Sequence, residues 1–136
     1  MELPIPRPNH DTQPYWDAAS EDRLALQHCT ACNTVQAVPR SFCGNCQSSD
    51  LVWRDSPLQG KIASFSIVHR GPTKAFKDYS PYVLALVDIT DGIRLMLNIV
   101  GDDRLESRIC DPVEIIFEAR GRDGFKMPQA KRSVSK

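Results

Sequence analysis

The chain has 136 residues, 41% hydrophobic and 25% charged, an ordinary composition for a soluble globular protein of one domain or two small ones. Its 17 basic and 17 acidic side chains cancel, which counts against a protein built mainly to coat nucleic acid. No stretch approaches a membrane span, and the N-terminal residues lack a basic flank followed by an apolar run, so neither an anchor nor a signal peptide is expected.

Residues 1–11 carry Pro4, Pro6 and Pro8. Alternating prolines fix φ and remove donors, so this arm is expected to be extended and to lie on something else. A helix should start at Thr12 or Gln13, with Pro14 in its first turn. Tyr15, Trp16 and Ala19 then share one side. Two large aromatics on a short helix need cover, either from the same chain or from a partner protein, and the residues alone do not separate these.

Leu24, Leu26 and His28 lead into Cys29, Cys32, Cys43 and Cys46, which read C-x2-C-x10-C-x2-C. Each C-x-x-C pair can form a knuckle that aims two sulfurs at one point, and two knuckles supply the four thiolates a tetrahedral ion needs. Two disulfides are the alternative; the pairing of the cysteines and the missing export signal favour a metal. Zinc is the expected ion. Iron held as in rubredoxin uses the same ligands and is the lesser alternative. Pro39 and Gly44 can bend the chain between the pairs, and Val35, Val38 and Phe42 can cover the site. His28 is expected in a strand, because structural zinc closes its shell at four ligands. Reduced thiols without an export signal imply the cytoplasm. Leu51–Trp53 reads as a strand returning from the metal, and so small a ribbon must draw much of its stability from the ion.

Pro57 and Gly60 mark a boundary, beyond which the apolar period becomes two. Strands are predicted over 61–70, 81–89, 93–100 and 112–119, with a weaker one over 125–132 that Pro128 would place at an edge or bend. Residues 73–80 read as a polar loop, Asp91-Gly92 as a hairpin turn, and 102–108 as one helical turn. Five strands with a short helical insertion between the third and fourth are the order of an OB-fold, a small partly open barrel. The expected division is an arm and helix over 1–27, a metal ribbon over 28–56 and a barrel over 57–136.

These residues resemble a family that joins a rubredoxin-like zinc ribbon to an acyl-CoA-associated OB-fold. The resemblance runs from about Tyr15 to Phe117. It is carried by Tyr15-Trp16, Leu24-x-Leu26-x-x-Cys29-x-x-Cys32, Pro39-Arg40 and Cys43-x-x-Cys46, then Trp53, Gly60, Ser64, Pro81-Tyr82-Val83, Leu86-Val87, Gly92-x-Arg94 and Pro112-Val113. It implies a mainly β fold, with an N-terminal helix, the ribbon and the five-stranded barrel. It also implies an accessory subunit that scaffolds a thiolase-like enzyme (a lipid-transfer-type thiolase or aldolase) or a hydratase acting on CoA esters, in a hetero-oligomer. Family members often carry glycine just before the fourth strand, where this chain has Cys110-Asp111. Cys110 is read as a small buried hydrophobe.

No nucleophile motif or glycine-rich phosphate loop is present, and no catalytic residue is expected. A closed four-thiolate zinc would be structural. A CoA ester would want cations and an aromatic slot, and Arg70, Lys74, Phe76 and Lys77, beside His69 and Tyr79, have that composition, with Arg94 on a neighbouring strand. Tyr15 and Trp16 are the candidate partner contacts. The six bases from Arg120 to Lys136, against Asp123 alone, read as a solvated, frayed terminus or as a contact with an acidic partner or phosphate. Two other functions remain open: a single-strand nucleic-acid module, which OB barrels can be, and an iron electron carrier.

Overall fold

The computed structural model describes residues 3–89 and 92–133. Residues 3–9 of the arm form no helix or strand; at Asn9 a reciprocal pair, Asn9 N–H to Thr12 Oγ1 and Thr12 N–H to Asn9 Oδ1, sets up helix α1 over Gln13–Ser20. Pro14 sits in the first turn, where its missing N–H costs nothing. Beyond the helix, Asp22 with φ 60° turns the chain into β1.

β1 (Leu24–Cys29) is flanked by β2 (Val35–Gln36) and β3 (Leu51–Ser56) in a three-stranded antiparallel sheet. Then follow β4 (Gln59–Val68), α2 (Lys74–Tyr79), β5 (Tyr82–Ile89), β6 (Arg94–Val100), a 3-10 turn over Arg104–Glu106, β7 (Pro112–Arg120) and β8 (Phe125–Arg132). The barrel closes in the order β4-β5-β6-β8-β7, with β7 returning to β4 and a short parallel contact between β6 and β8. This is the five-strand OB order expected from the sequence. Alternation explains it: Val83, Ala85, Val87 and Ile89 on β5 and Leu95, Leu97 and Ile99 on β6 point inward, and the intervening residues point out. Gly60 lets β4 approach β5 closely, since a Cβ there would fall 2.6 Å from the Asp88 carbonyl oxygen. Leu24 and Leu26 of β1 belong to the same buried cluster as these barrel residues, so the small sheet and the barrel share one core.

Two details differ from the sequence expectations. Residues 74–79 form a helix rather than a loop; the Thr73 hydroxyl accepts from the Phe76 N–H and Ala75 is buried. Strand β8 is continuous through Pro128, which faces Phe117 of β7 before β8 reaches β6 at Ala130, so no ladder donor is lost. The 125–132 strand is therefore an internal member of the barrel. At the β5–β6 turn, Gly92 has φ +71°, the conformation a glycine turn supplies; Asp91, read with it as the turn signal, lies outside the described residues, as does Lys136.

Candidate metal centre and ligand loop

The two knuckles are built alike. Asn33 N–H donates to Cys29 O and Gln47 N–H to Cys43 O, both at 2.9 Å, while Cys29 N–H reaches Thr34 O and Cys43 N–H reaches Ser48 O. The residue after each pair takes the left-handed conformation, Asn33 at φ 62° and Gln47 at φ 65°. The left-handed backbone therefore falls on these two residues, while Gly44 lies in the turn of the second knuckle. Asparagine tolerates that backbone; glutamine gives no such signal.

The knuckles bring four sulfurs within 4.8 Å of one another. Cys29 and Cys46 Sγ are 3.6 Å apart, as are Cys32 and Cys43 Sγ. A tetrahedron with Zn–S bonds of about 2.3 Å has edges of about 3.8 Å, whereas a disulfide needs about 2.05 Å. The set therefore fits one tetrahedral ion. Its electrostatics also fit a cation. The Thr34 hydroxyl, then the Asn45 amide, bring the Cys32 thiol down to about 5. Backbone N–H groups of Cys46 and Asn45 lower Cys43. The Ser48 N–H favours the Cys46 thiolate, but desolvation and crowding by the other three sulfurs outweigh it and push that thiol up to about 12. Four thiolates repel one another until a dication sits between them, and zinc bound this way has no open position for a substrate.

Support comes from Gln27, which sequence reasoning passed over. It is buried in β1; its Oε1 accepts from Gln36 Nε2 at 2.7 Å and Arg40 N at 2.9 Å, and its Nε2 donates to Arg40 O. Gln36 in turn accepts from Gly44 N. A lone amide in the apolar run LALQHC was the available signal. Val35 is half-buried against the core, but Val38 and Phe42 are 63% and 49% exposed. His28 lies in β1, opposite Val35 and Val52.

Tyr15 and Trp16 find neighbours within the chain. Their rings meet edge to face at 4.9 Å, and Trp16 packs on Phe125 of β8 at 5.2 Å. Burial pushes the Tyr15 phenol up to about 12. The proline arm crosses the β7–β8 turn, where Pro4 O accepts from Arg120 Nη1.

The candidate ligand residues divide. Arg70, Lys74, Phe76 and Lys77 lie at the β4–α2 end of the barrel, where Phe76 meets Tyr79 edge to face and Tyr82 at a tilt. Arg94 lies at the other end, paired with Asp88 at 2.6 Å. Strand β5 separates them, from Tyr82 opposite Val68 to Asp88 opposite Arg94, a rise of about 20 Å. Arg94 therefore does not join the loop.

Two further readings are corrected. Cys110 is exposed, with φ +70°, and holds the chain in the conformation glycine favours at that place. The basic C-terminal run is tied into the fold as far as it is described. Arg132 binds Asp103 and Asp111 from a nearly buried position, Lys126 reaches Asp22, and Arg120 is buried beside Glu118.

A four-cysteine ribbon sharing its core with a closed five-stranded barrel defines a zinc-ribbon OB-fold protein. The family model described as "ChsH2, rubredoxin-like zinc ribbon domain" matches residues 16–52, and "ChsH2, C-terminal OB-fold domain" matches 53–118. The chain belongs to this ChsH2-type DUF35 family. It is 34% identical over 105 residues to a DUF35 domain-containing scaffold protein of Methanothermobacter thermautotrophicus, covering 74% of this chain and 78% of that one. It is 37% identical to a "Probable enoyl-CoA hydratase alpha subunit" of Thermomonospora curvata, over 76% of this chain but only 32% of that protein. The chain thus spans about a third of that relative. Among solved structures, the "Ltp2-ChsH2(DUF35) aldolase" superimposes with a TM-score of 0.84 at 32% identity, over 96% of this chain and 100% of the matched one. Among the described residues, no helix is long and apolar enough to cross a membrane.

Proposed function

We propose that this chain is an accessory subunit that scaffolds a partner enzyme acting on acyl-CoA esters, a thiolase-like aldolase or thiolase or a hydratase, and helps hold the CoA ester. The observation that carries this is the likeness to the DUF35 chain of the Ltp2-ChsH2 aldolase, which matches that chain over its whole length. The scaffold relative and the hydratase relative point the same way. The cysteine site agrees: Cys29, Cys32, Cys43 and Cys46 hold one structural zinc that stiffens the ribbon and performs no chemistry on substrate. Retention of four reduced thiols suits the cytoplasm. The same reading divides the chain into the arm and helix to residue 27, the ribbon to residue 56 and the barrel beyond.

Copurification tests it. The untagged chain, taken from its native cells, is expected to elute with a thiolase-like or hydratase subunit and to raise that enzyme's activity on a CoA ester. A chain that elutes alone and leaves such an enzyme unaffected refutes it.

A further inference from the structure

Gly71 is buried in the turn from β4 to α2, and its missing side chain sets how closely the two segments meet. A Cβ there would lie 2.3 Å from the Phe76 carbonyl carbon and 2.5 Å from the Lys77 nitrogen. Neither is a flexible atom that could move aside. The contact brings Arg70, just before the glycine, and Lys77, on α2, to the same mouth. Between them opens a recess of about 470 Å³, lined by His69, Arg70, Gly71 and Lys77.

Among the described residues, no carboxylate lines this recess. Arg23, Arg94, Arg120, Lys126 and Arg132 are held in ion pairs, and Arg70 and Lys77 are in none of these. Two permanent cations around one hollow repel one another, and an anion in the hollow relieves that. The guanidinium offers a planar fork of donors and the ammonium a point charge, which together suit the several oxygens of a phosphate better than a single-atom anion.

We infer that the recess lined by His69, Arg70, Gly71 and Lys77 is a phosphate-binding site, for a phosphate or pyrophosphate group either free or carried on an organic ligand. The anion chemistry rests on this geometry; only an organic CoA-type carrier rests on the function proposed above. Arg94 takes no part, because it lies at the far end of the barrel in its own ion pair.

The test follows the backbone amides of the isotope-labelled full-length chain during titration with inorganic phosphate and pyrophosphate. Sodium chloride at equal ionic strength is the control. Saturable shifts confined to residues 69–77, not produced by chloride, are expected. The Arg70→Ala/Lys77→Ala variant should bind at least about tenfold more weakly, since each charged hydrogen bond contributes about 1.5–3 kcal/mol and 1.4 kcal/mol is tenfold. Its remaining spectrum should be unchanged. Shifts no larger than those in chloride, or undiminished in the double variant, overturn the site. A nucleoside bisphosphate identifies the source: tighter binding than pyrophosphate supports an organic carrier, equal binding supports the free anion, and both sustain the site. Failure of phosphate to bind leaves the scaffold role intact, just as failed copurification leaves the recess intact.

Discussion

Removing the metal should weaken the barrel as well as the ribbon. The small sheet has strands of only six, two and six residues. Structural zinc in such ribbons contributes about 10–16 kcal/mol, comparable to the whole stability of about 5–15 kcal/mol expected for a domain. Without the ion, β1 should therefore detach. Leu24 and Leu26 are 1% and 3% exposed and lie in the barrel's own cluster. Burial of each stabilises by about 1.5–3 kcal/mol, so the barrel loses about 3–6 kcal/mol with them. For a chain of this size that lowers the melting temperature by about 10–25 °C. The assay is thermal unfolding by circular dichroism, with the emission of Trp16 and Trp53 reporting on α1 and β3 together, before and after chelation, and metal content measured on each sample. One equivalent of zinc should restore the original curve. A chain shown to be metal-free that melts within about 3 °C of the loaded form would refute the shared-core reasoning.

Other substitutions and conditions separate further causes. Gly60→Ala should destabilise the barrel by about 1–3 kcal/mol or more, because its Cβ meets the Asp88 backbone. Gly92→Ala, with nothing within 4 Å, should cost only the left-handed backbone, about 1–2 kcal/mol; equal denaturation midpoints for the two would count against the close-approach argument. Tyr15 resists ionisation when folded, so the unfolded state loses its proton first. Stability should fall as pH rises from 10.0 towards about 12, and Tyr15→Phe should flatten that slope; an unchanged slope would show that the phenol is not what burial perturbs. Protein from its native host should be colourless with one zinc per chain, whereas a red protein containing iron would reverse the choice of ion.

What could be read in advance depended on whether the signal was local. The cysteine spacing, the strand alternation and the Gly92 turn encode their geometry within a few residues, and the ribbon and barrel followed from them. Helix α2 has six residues, too few to show a helical period, and its cap and buried Ala75 emerge only in context. Charge type alone groups Arg94 with Arg70, but β5 lies between β4 and β6 and pairs antiparallel with both, which puts the two residues at opposite ends. Cysteine as a type favours burial, but the demand for a left-handed backbone at Cys110 decides otherwise. Arg132 looked like tail charge and is a nearly buried clasp, since its partners Asp103 and Asp111 are distant in sequence.

The placement of Leu24 and Leu26 bears on how this unit could be moved between proteins. A cut made between β3 and β4, where the chain invites it, would leave a hole in the transplanted barrel. Any natural fusion or laboratory graft must carry the first sheet along or refill that gap. The piece that travels is thus the whole stretch from α1 onward, a single cassette rather than two exchangeable parts.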